Sequence, residues 1–409
     1  MAIVINEFEV TETRPEVSDR DEQSRSNIPA STELVDIAQK LAQLEERALR
    51  VEANWMPPRL ISSRPDILID GQRETALAAG LTSFLIEETS AGLYRCEAVF
   101  SNWGPTSGGS SGFLYFDRTL LEFGKPFAVQ LGGETLFSGR IGALEGRFPN
   151  GSPAEIAVLA EDRLQDLRMT RRSRHFERMS DADVMRQIAQ EHGLSADVDV
   201  PGSAHTALAQ VNQSDLAFLR ERARATGVEL WVEDTRLRAA PRSSRAGAAT
   251  TLEWGERLRS FTVLADLAHQ ATRLTVGGWD VAGKEAIAAE ADMAVVASEL
   301  DGGSSGGEIL QQAFGERHAS IAHTVPANAD EARAQAEAQL RTLARRFVVG
   351  RGIAETDAAL KFGAAVRLQG LGALFSGQYV LSEVRHRFDE TQGLRTEFTA
   401  ERAALGGRR

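Results

Sequence analysis

The chain has 409 residues, with 58 acidic against 46 basic side chains and a formal net charge of −12. That length can hold two or three domains with cores of their own, while the acidic balance argues against general nucleic-acid binding, which needs concentrated Lys and Arg. One cysteine, Cys96, excludes an intramolecular disulfide framework, and no apolar run is long enough to span a membrane or charged-then-apolar start reads as a secretion signal.

The chain opens with a predicted strand over residues 3–10, in which Ile3, Val4, Ile5 and Phe8 supply the apolar positions. Residues 11–29 are polar and acidic and read as a linker. A helix is expected over 32–52, capped by Ser31 or Thr32. Leu34, Ile37, Leu41 and Leu44, with Ala48 and Val51, recur at spacings of three and four and form one apolar seam. Trp55-Met56-Pro57-Pro58 ends it, because proline disfavours helix in the residue before it. Residues 1–63 thus read as an arm of strand, linker and helix that cannot bury itself alone, with its apolar residues available for docking on a partner.

From about Arg64 the texture changes to strands, expected over 66–71, 81–86 and 94–100. Cys96 lies in the last of these and reads as a small buried hydrophobe. The Gly/Ser-rich stretch 102–112 is expected to be a flexible loop. A hairpin follows over 123–145, centred on Gly132-Gly133 and carrying the word Leu136-Phe137-Ser138-Gly139. Residues 162–242 read as a mixed insertion. Ser180 with Asp183 is a capping signature for a helix ending at Gly193, a second helix runs from Ser214 to Gly227, and 228–238 reads as a hairpin.

A second strand-rich region starts near Thr251. It contains another Gly/Ser loop, 301–307, and a helix over about 330–346. Its closing hairpin, 362–383, repeats the earlier one: Leu374-Phe375-Ser376-Gly377 matches Leu136-Phe137-Ser138-Gly139 when Val366 and Leu368 are set on Val129 and Leu131, with Ile141 on Tyr379. The endings Ala160-Glu161 and Ala400-Glu401 also match. The pattern reads as a mainly β, α+β chain with a duplicated β-domain: an arm (1–63), a first β-domain (64–161), a mixed insertion (162–245) and a second β-domain (246–409).

No catalytic constellation assembles from the motifs. Gly108–Gly112 and Gly302–Gly306 both fit G-x-S-x-G, but the first is followed by β-like residues and the second follows an acidic loop, so neither has the strand–Ser–helix context of a nucleophile elbow. The histidines, at 175, 192, 205, 269, 318, 323 and 386, show no zinc spacing. Gly350-Arg351-Gly352 has Glu355 where a dinucleotide fingerprint needs glycine. The basic cluster Arg168, Arg171, Arg172 and Arg174 lacks interleaved aromatics and reads as a solvated or interface face. No catalytic residue, metal or cofactor is expected; a serine hydrolase or cell-wall-cleaving tail component is the runner-up reading.

The order of parts resembles the baseplate hub of contractile phage tails, meaning the late control D family and the hub-forming N-terminal half of type VI secretion spike proteins. The stretches that carry this are Phe137-Ser138-Gly139-Arg140-Ile141 with the strand to Arg163, His175-Phe176 to Gly193-Leu194, and Gln213-Ser214-Asp215-Leu216-Ala217-Phe218-Leu219 to Gly227. The resemblance spans about Arg64 to Leu405. It implies two tail-tube-like barrels, a homotrimer that joins a six-fold tail tube to a three-fold spike, and partners among the tube protein, the spike protein and other baseplate components. It also implies assembly in the cytoplasm into a phage tail or injection-system particle, without membrane insertion or specific nucleic acid. No spike or lysozyme domain follows Leu405, so the spike is expected to be a separate chain. A distal-tail hub of a non-contractile phage shares the duplicated barrel and remains open at this point.

Overall fold

The computed structural model describes residues 64–406, apart from 107, 246, 281–282, 323–325 and 327. The expected arm, with Ile3, Val4, Ile5, Phe8, Leu34, Ile37, Leu41, Leu44 and Trp55, lies outside the described residues, as does His323.

The architecture is mostly β, and thirteen of the described strands join one sheet. Seven come from the first half: β1 (Asp66–Ile69), β2 (Gln72–Arg73), β3 (Leu81–Thr89), β4 (Arg95–Ser101), β5 (Pro126–Leu131), β6 (Glu134–Arg147) and β7 (Glu155–Glu161). Six come from the second: β8 (Thr250–Glu253), β9 (Leu258–Ala265), β10 (Val348–Ala354), β11 (Ala365–Gln369), β12 (Gly377–Asp389) and β13 (Gly393–Arg402).

Hydrogen bonding orders the first set β3-β4-β7-β6-β5-β1 and the second β9-β10-β13-β12-β11-β8. The two runs correspond strand for strand, and their irregularities coincide. The β3–β4 ladder skips a residue between Leu81 and Ser83, and the β9–β10 ladder skips one between Leu258 and Ser260. The β6–β7 ladder slips between Ile141 and Ala143, and the β12–β13 ladder between Leu381 and Glu383. Bulges of this kind fix register and bend a strand locally. The entries to the two hairpins also match: Gly124 N–H donates to Ile141 O and Gly363 N–H to Leu381 O, each at 2.8 Å. One difference is that β1 runs antiparallel to β5, whereas β8 runs parallel to β11.

These registers correct the word-based alignment. They keep Phe123-Gly124 on Phe362-Gly363 but set Ile141 on Leu381, two residues away from the match of Ile141 with Tyr379. Leu136, Phe137, Ser138 and Gly139 all lie within β6, with Leu136 and Phe137 buried. Leu374 and Phe375 instead lie in a one-turn helix, Gly372–Phe375, and only Gly377 enters the strand. The second hairpin makes its turn with that helical segment, held where Leu371 N–H donates to Ser376 Oγ (3.0 Å) and Tyr379 Oη donates to Phe375 O (2.8 Å). The shared word therefore occupies different positions of the two turns.

Each set curls around one core, because a single cluster takes side chains from both ends of its strand order. Ile67 and Ile69 of β1 meet Phe84 and Ile86 of β3 through Phe127 and Ile141. Leu252 of β8 meets Leu258 of β9 through Val366 and Leu381. Packing differs in detail: Cys96 and Ala98 on β4 correspond to Gly350 and Gly352 on β10, where an added Cβ would collide with the Phe261 and Phe398 rings. The sets join because β12 is long: Glu383 to Asp389 pair antiparallel with Thr89 to Ser83 of β3.

Two insertions pack beside the sheet. The first, after β7, has α1 (Asp181–Glu191) and α2 (Asp215–Thr226), an antiparallel pair of Arg171–Met179 with His205–Ser214, and a sheet of Ser195–Val198, Arg236–Ala240 and Glu229–Glu233. Ser180 and Asp183 form the expected capping box, and Gly227 ends α2 at φ 71°. The second, between β9 and β10, has strands Arg273–Asp280, Glu285–Asp292 and His318–Ile321, with α3 (Gly306–Phe314) and α4 (Ala329–Arg345). The expected flexible loop 301–307 is structured beyond Gly303. Ser305 caps α3, and Gly306 and Gly307 are buried. A Cβ on Gly306 would lie 2.7 Å from the Phe347 ring and one on Gly307 2.6 Å from Met293, so close packing accounts for both glycines.

Candidate functional site

The two motif serines lie in a turn and a short strand. Ser110 sits in the turn between Trp103–Pro105 and Ser111–Phe113, where Thr106 N–H donates to its carbonyl at 2.9 Å. Ser304 lies in a two-residue strand paired with Ala404–Leu405, and the hydroxyl of Ser305 accepts from Glu308 N–H (3.2 Å) as the cap of α3. Among the described residues, neither Ser110 nor Ser304 hydrogen-bonds a histidine, and no group of three or more His, Cys, Asp or Glu could hold a metal ion. Cys96 is buried, which pushes its thiol well above the usual range.

The histidines and the basic cluster bind the insertion together. His192 Nε2 lies 2.8 Å from Asp215, and Arg174 reaches the same carboxylate at 2.8 Å. Burial opposes ionisation of Asp215, but the hydrogen bonds from His192 and Gln210 and the charges of Arg174 and Arg172 hold its carboxyl below the usual range. His205 and Arg222 hold Asp181 in the same way. Arg168 pairs with Glu161, and Arg171 donates to Asn212 O. Of the cluster expected as a solvated or interface face, Arg168 and Arg171 are exposed, whereas Arg172 and Arg174 turn toward the buried Asp215.

The two strand sets and the first insertion meet at Arg245. Its guanidinium lies 4.5 Å from the Trp231 ring centre and 4.8 Å from that of Phe362, and it donates to the Tyr94 hydroxyl. Beside it, Glu88 accepts from Phe362 N–H at 2.8 Å, and Asp162 accepts from Tyr94 N–H at 2.8 Å. Burial raises both carboxyls, that of Asp162 to about 7. Arg242 bridges Glu229 and Glu401 nearby. These contacts fix the parts relative to one another.

Two stretches of strand edge in the large sheet stay open. Among the described residues, no strand pairs with the outer edge of β9, nor with the edge of β6 beyond Arg140 that faces away from β7. On β6 this edge is still bonded at Ile141, which accepts from Gly124 N–H and donates to Lys125 O; beyond it, as along β9, no strand partner is present among the described residues, and soluble proteins normally protect such edges. Around the second edge stand Trp103, Phe113, Phe116 and Phe148, all exposed and in ring contact, with Phe148 68 % accessible. On β9, Leu264 is 64 % accessible. Contiguous exposed apolar patches commonly mark interaction or ligand-binding surfaces. The sequence did not single these residues out, because alternation marks which side chains share a face and leaves unstated whether that face meets this chain's core or another chain. The word residues Leu136, Phe137, Leu374 and Phe375 do not come together.

A family model described as the Alg8 N-terminal domain matches residues 118–390, about two thirds of the chain. The chain belongs to that family. Its fold is also that of phage tail proteins. The 43 kDa tail protein of prophage MuSo2 from Shewanella oneidensis superposes with a TM-score of 0.61 at 13% identity, over 84% of this chain and 99% of that one. A tail protein from Neisseria meningitidis MC58 gives 0.60 at 13% identity, over 83% and 96%. The E. coli c3393 protein, a component of the type VI secretion system described as structurally similar to the T4 tail proteins gp27 and gp5, gives 0.50 at 14% identity, over 84% and 79%. No curated protein matches the chain in sequence.

Proposed function

We propose that this chain is a structural component of a phage-tail-like particle, the baseplate hub that joins a six-fold tail tube to a three-fold spike as a homotrimer. The observation that carries the reading is the six-strand set that occurs twice, in one order and with coincident bulges, within a fold shared with tail proteins. We take the two sets as copies of one tube-like β-domain. Three chains then present six similar surfaces to a six-fold tube while keeping true three-fold symmetry for a spike, with one repeated contact type in a closed ring. The tube protein, the spike protein and other baseplate components are the partners of this reading, and assembly takes place in the cytoplasm. In this role the chain contributes structure and no catalysis; Ser305 caps a helix, His192 and His205 pair with carboxylates, and Cys96 lies in the core. Native mass measurement of the hub, free or released from particles, should give three copies. A monomer in the particle, or six copies of this chain, would sink the proposal.

A further inference from the structure

A further stretch of strand edge, on the β7 side of β6, opens into a crevice. Gly124 N–H donates to Ile141 O and Ile141 N–H to Lys125 O, so Ile141 turns its backbone groups toward β5. Alternation along an antiparallel ladder turns Gly139 and Phe137 the same way, and Arg140 and Ser138 toward the β7 side. Arg140 meets Glu161 there, the last residue of β7. The chain leaves the sheet at that point, and Asp162 N–H donates instead to Tyr94 O at 2.9 Å. The backbone groups of Ser138 on this side therefore have no strand partner among the described residues, and Ser138 is exposed.

The facing wall is a second strand edge. Glu229–Glu233 lies at the margin of its three-stranded sheet and pairs only with Arg236–Ala240. Glu233 and Arg236 flank a two-residue turn and exchange bonds, which directs the backbone groups of Leu230 and Val232 outward. The turn at Gly92 closes on Leu230 O, where an added Cβ would lie 2.3 Å away. Val232 lies beyond that turn and lines the crevice with Ser138. The space between the two edges is about 750 Å³, within the range of ligand sites.

The charges around this space are unevenly paired. At its base Glu88 and Asp162 accept backbone N–H groups, Arg163 pairs with Asp166, and Glu233 accepts from Trp231 Nε1 at 3.0 Å. Arg245 is stacked between Trp231 and Phe362. Lys361 and Asp234 have no ion pair or side-chain hydrogen bond among the described residues, and Arg140 comes only within 4.0 Å of Asp166. Two underused cations against one acid favour an acidic guest.

We infer that this crevice takes an extended, acidic segment of a partner protein, which adds as a strand beside Ser138 and turns a carboxylate toward Arg140 and Lys361. In strand addition the main-chain hydrogen bonds supply affinity and the side chains supply selectivity. The inference is independent of the hub reading, since one copy of the chain holds the whole site.

The test uses the full chain and, as probe, synthetic peptides selected on it from a random dodecapeptide display library. The selected peptides should be rich in Asp and Glu. Ser138→Pro removes one edge donor and leaves the bonds to β5 in place, and Lys361→Glu reverses one exposed charge. Each should keep the wild-type unfolding midpoint and weaken binding about tenfold, the scale of one lost hydrogen bond. Methylating alternate peptide amides should abolish binding, exchange of the Ser138 amide should slow in the complex, and a peptide with Lys in place of its acids should prefer Lys361→Glu. Should Ser138→Pro lower the midpoint, Lys361→Glu and the methylated peptides decide alone. No enrichment, or peptides that bind equally well after methylation and to Lys361→Glu, overturns the inference. Self-association of the chain that Ser138→Pro abolishes would put a second copy in the crevice and overturn the assignment of a foreign partner. None of these readouts counts subunits in a particle, so failure here leaves the hub reading standing.

Discussion

His386 should make the junction between the two strand sets acid-sensitive. It lies on β12, opposite Ile86 of β3 and Thr396 of β13, and is 1 % accessible. Its Nδ1 lies 2.8 Å from Thr396 Oγ1, which is in turn 3.1 Å from Thr356 Oγ1. Burial, aided by the Lys361 charge and opposed by a backbone contact at Leu360 and by Asp357, lowers the imidazole from 6.5 to about 4. The sign follows from linkage. Between pH 6.5 and 4 the unfolded chain takes up a proton that the folded chain refuses, so the contribution is intact above 6.5 and is lost as pH falls toward 4. At about 1.4 kcal/mol per pH unit, the loss over that window is about 3 kcal/mol. Asp162 works in the opposite sense, since its raised carboxyl favours the fold as pH falls from about 7. The quantity to read is therefore the difference between wild type and His386→Gln, from urea unfolding at pH 7, 6, 5 and 4.5. Glutamine keeps a donor for Thr396 and cannot titrate. The variant's deficit at pH 7 should shrink steadily and approach reversal near pH 4.5. A difference that stays constant with pH would refute the assignment of a buried neutral imidazole.

Two further perturbations test the packing. Gly350→Ala drives a Cβ into the Phe261 ring and should destabilise by about 1–3 kcal/mol, the usual cost of overpacking; the same change made with Phe261→Leu should cost less than the sum of the two, read by urea denaturation. Arg245→Met removes the cation between Trp231 and Phe362 and leaves the buried Glu88 less compensated. It should cost about 3 kcal/mol in chemical denaturation, and hydrogen exchange should rise at the contact between β3 and the first insertion.

Local chemistry was legible in the sequence where one residue decides it. Ser180 with Asp183 and the glycine at 227 announced their helix ends because capping and left-handed backbone are properties of single positions. The pair Phe123-Gly124 and Phe362-Gly363 also marked equivalent points, since both glycines take φ near 80° where the chain enters its hairpin. The Leu-Phe-Ser-Gly word misled because identity over four residues outweighed the turn, and the second turn spends Leu374 and Phe375 on a helical segment. Register depends on bulges, which leave no residue signature here: Thr82 and Arg259 share a bulge position and no chemistry. The β12–β3 pairing joins residues some 300 apart in the chain, beyond the reach of any local pattern. Helix α3 was missed because buried glycines that meet Phe347 and Met293 look the same, in sequence, as glycines of a flexible loop.

The junction between the two strand sets is tied by polar contacts as well as by backbone pairing. Glu87 is held by Arg385 at 3.0 Å and by Arg95, and His386 is sealed against Thr396. At the corresponding positions of the two outer edges, set by the matched bulges, stand Leu264, Glu145, Val349 and Gly146. The strand order therefore repeats while the chemistry along it does not: the ion pairs and the buried imidazole belong to the seam where the two sets join, which ties the halves by contacts that neither half makes at its own margin.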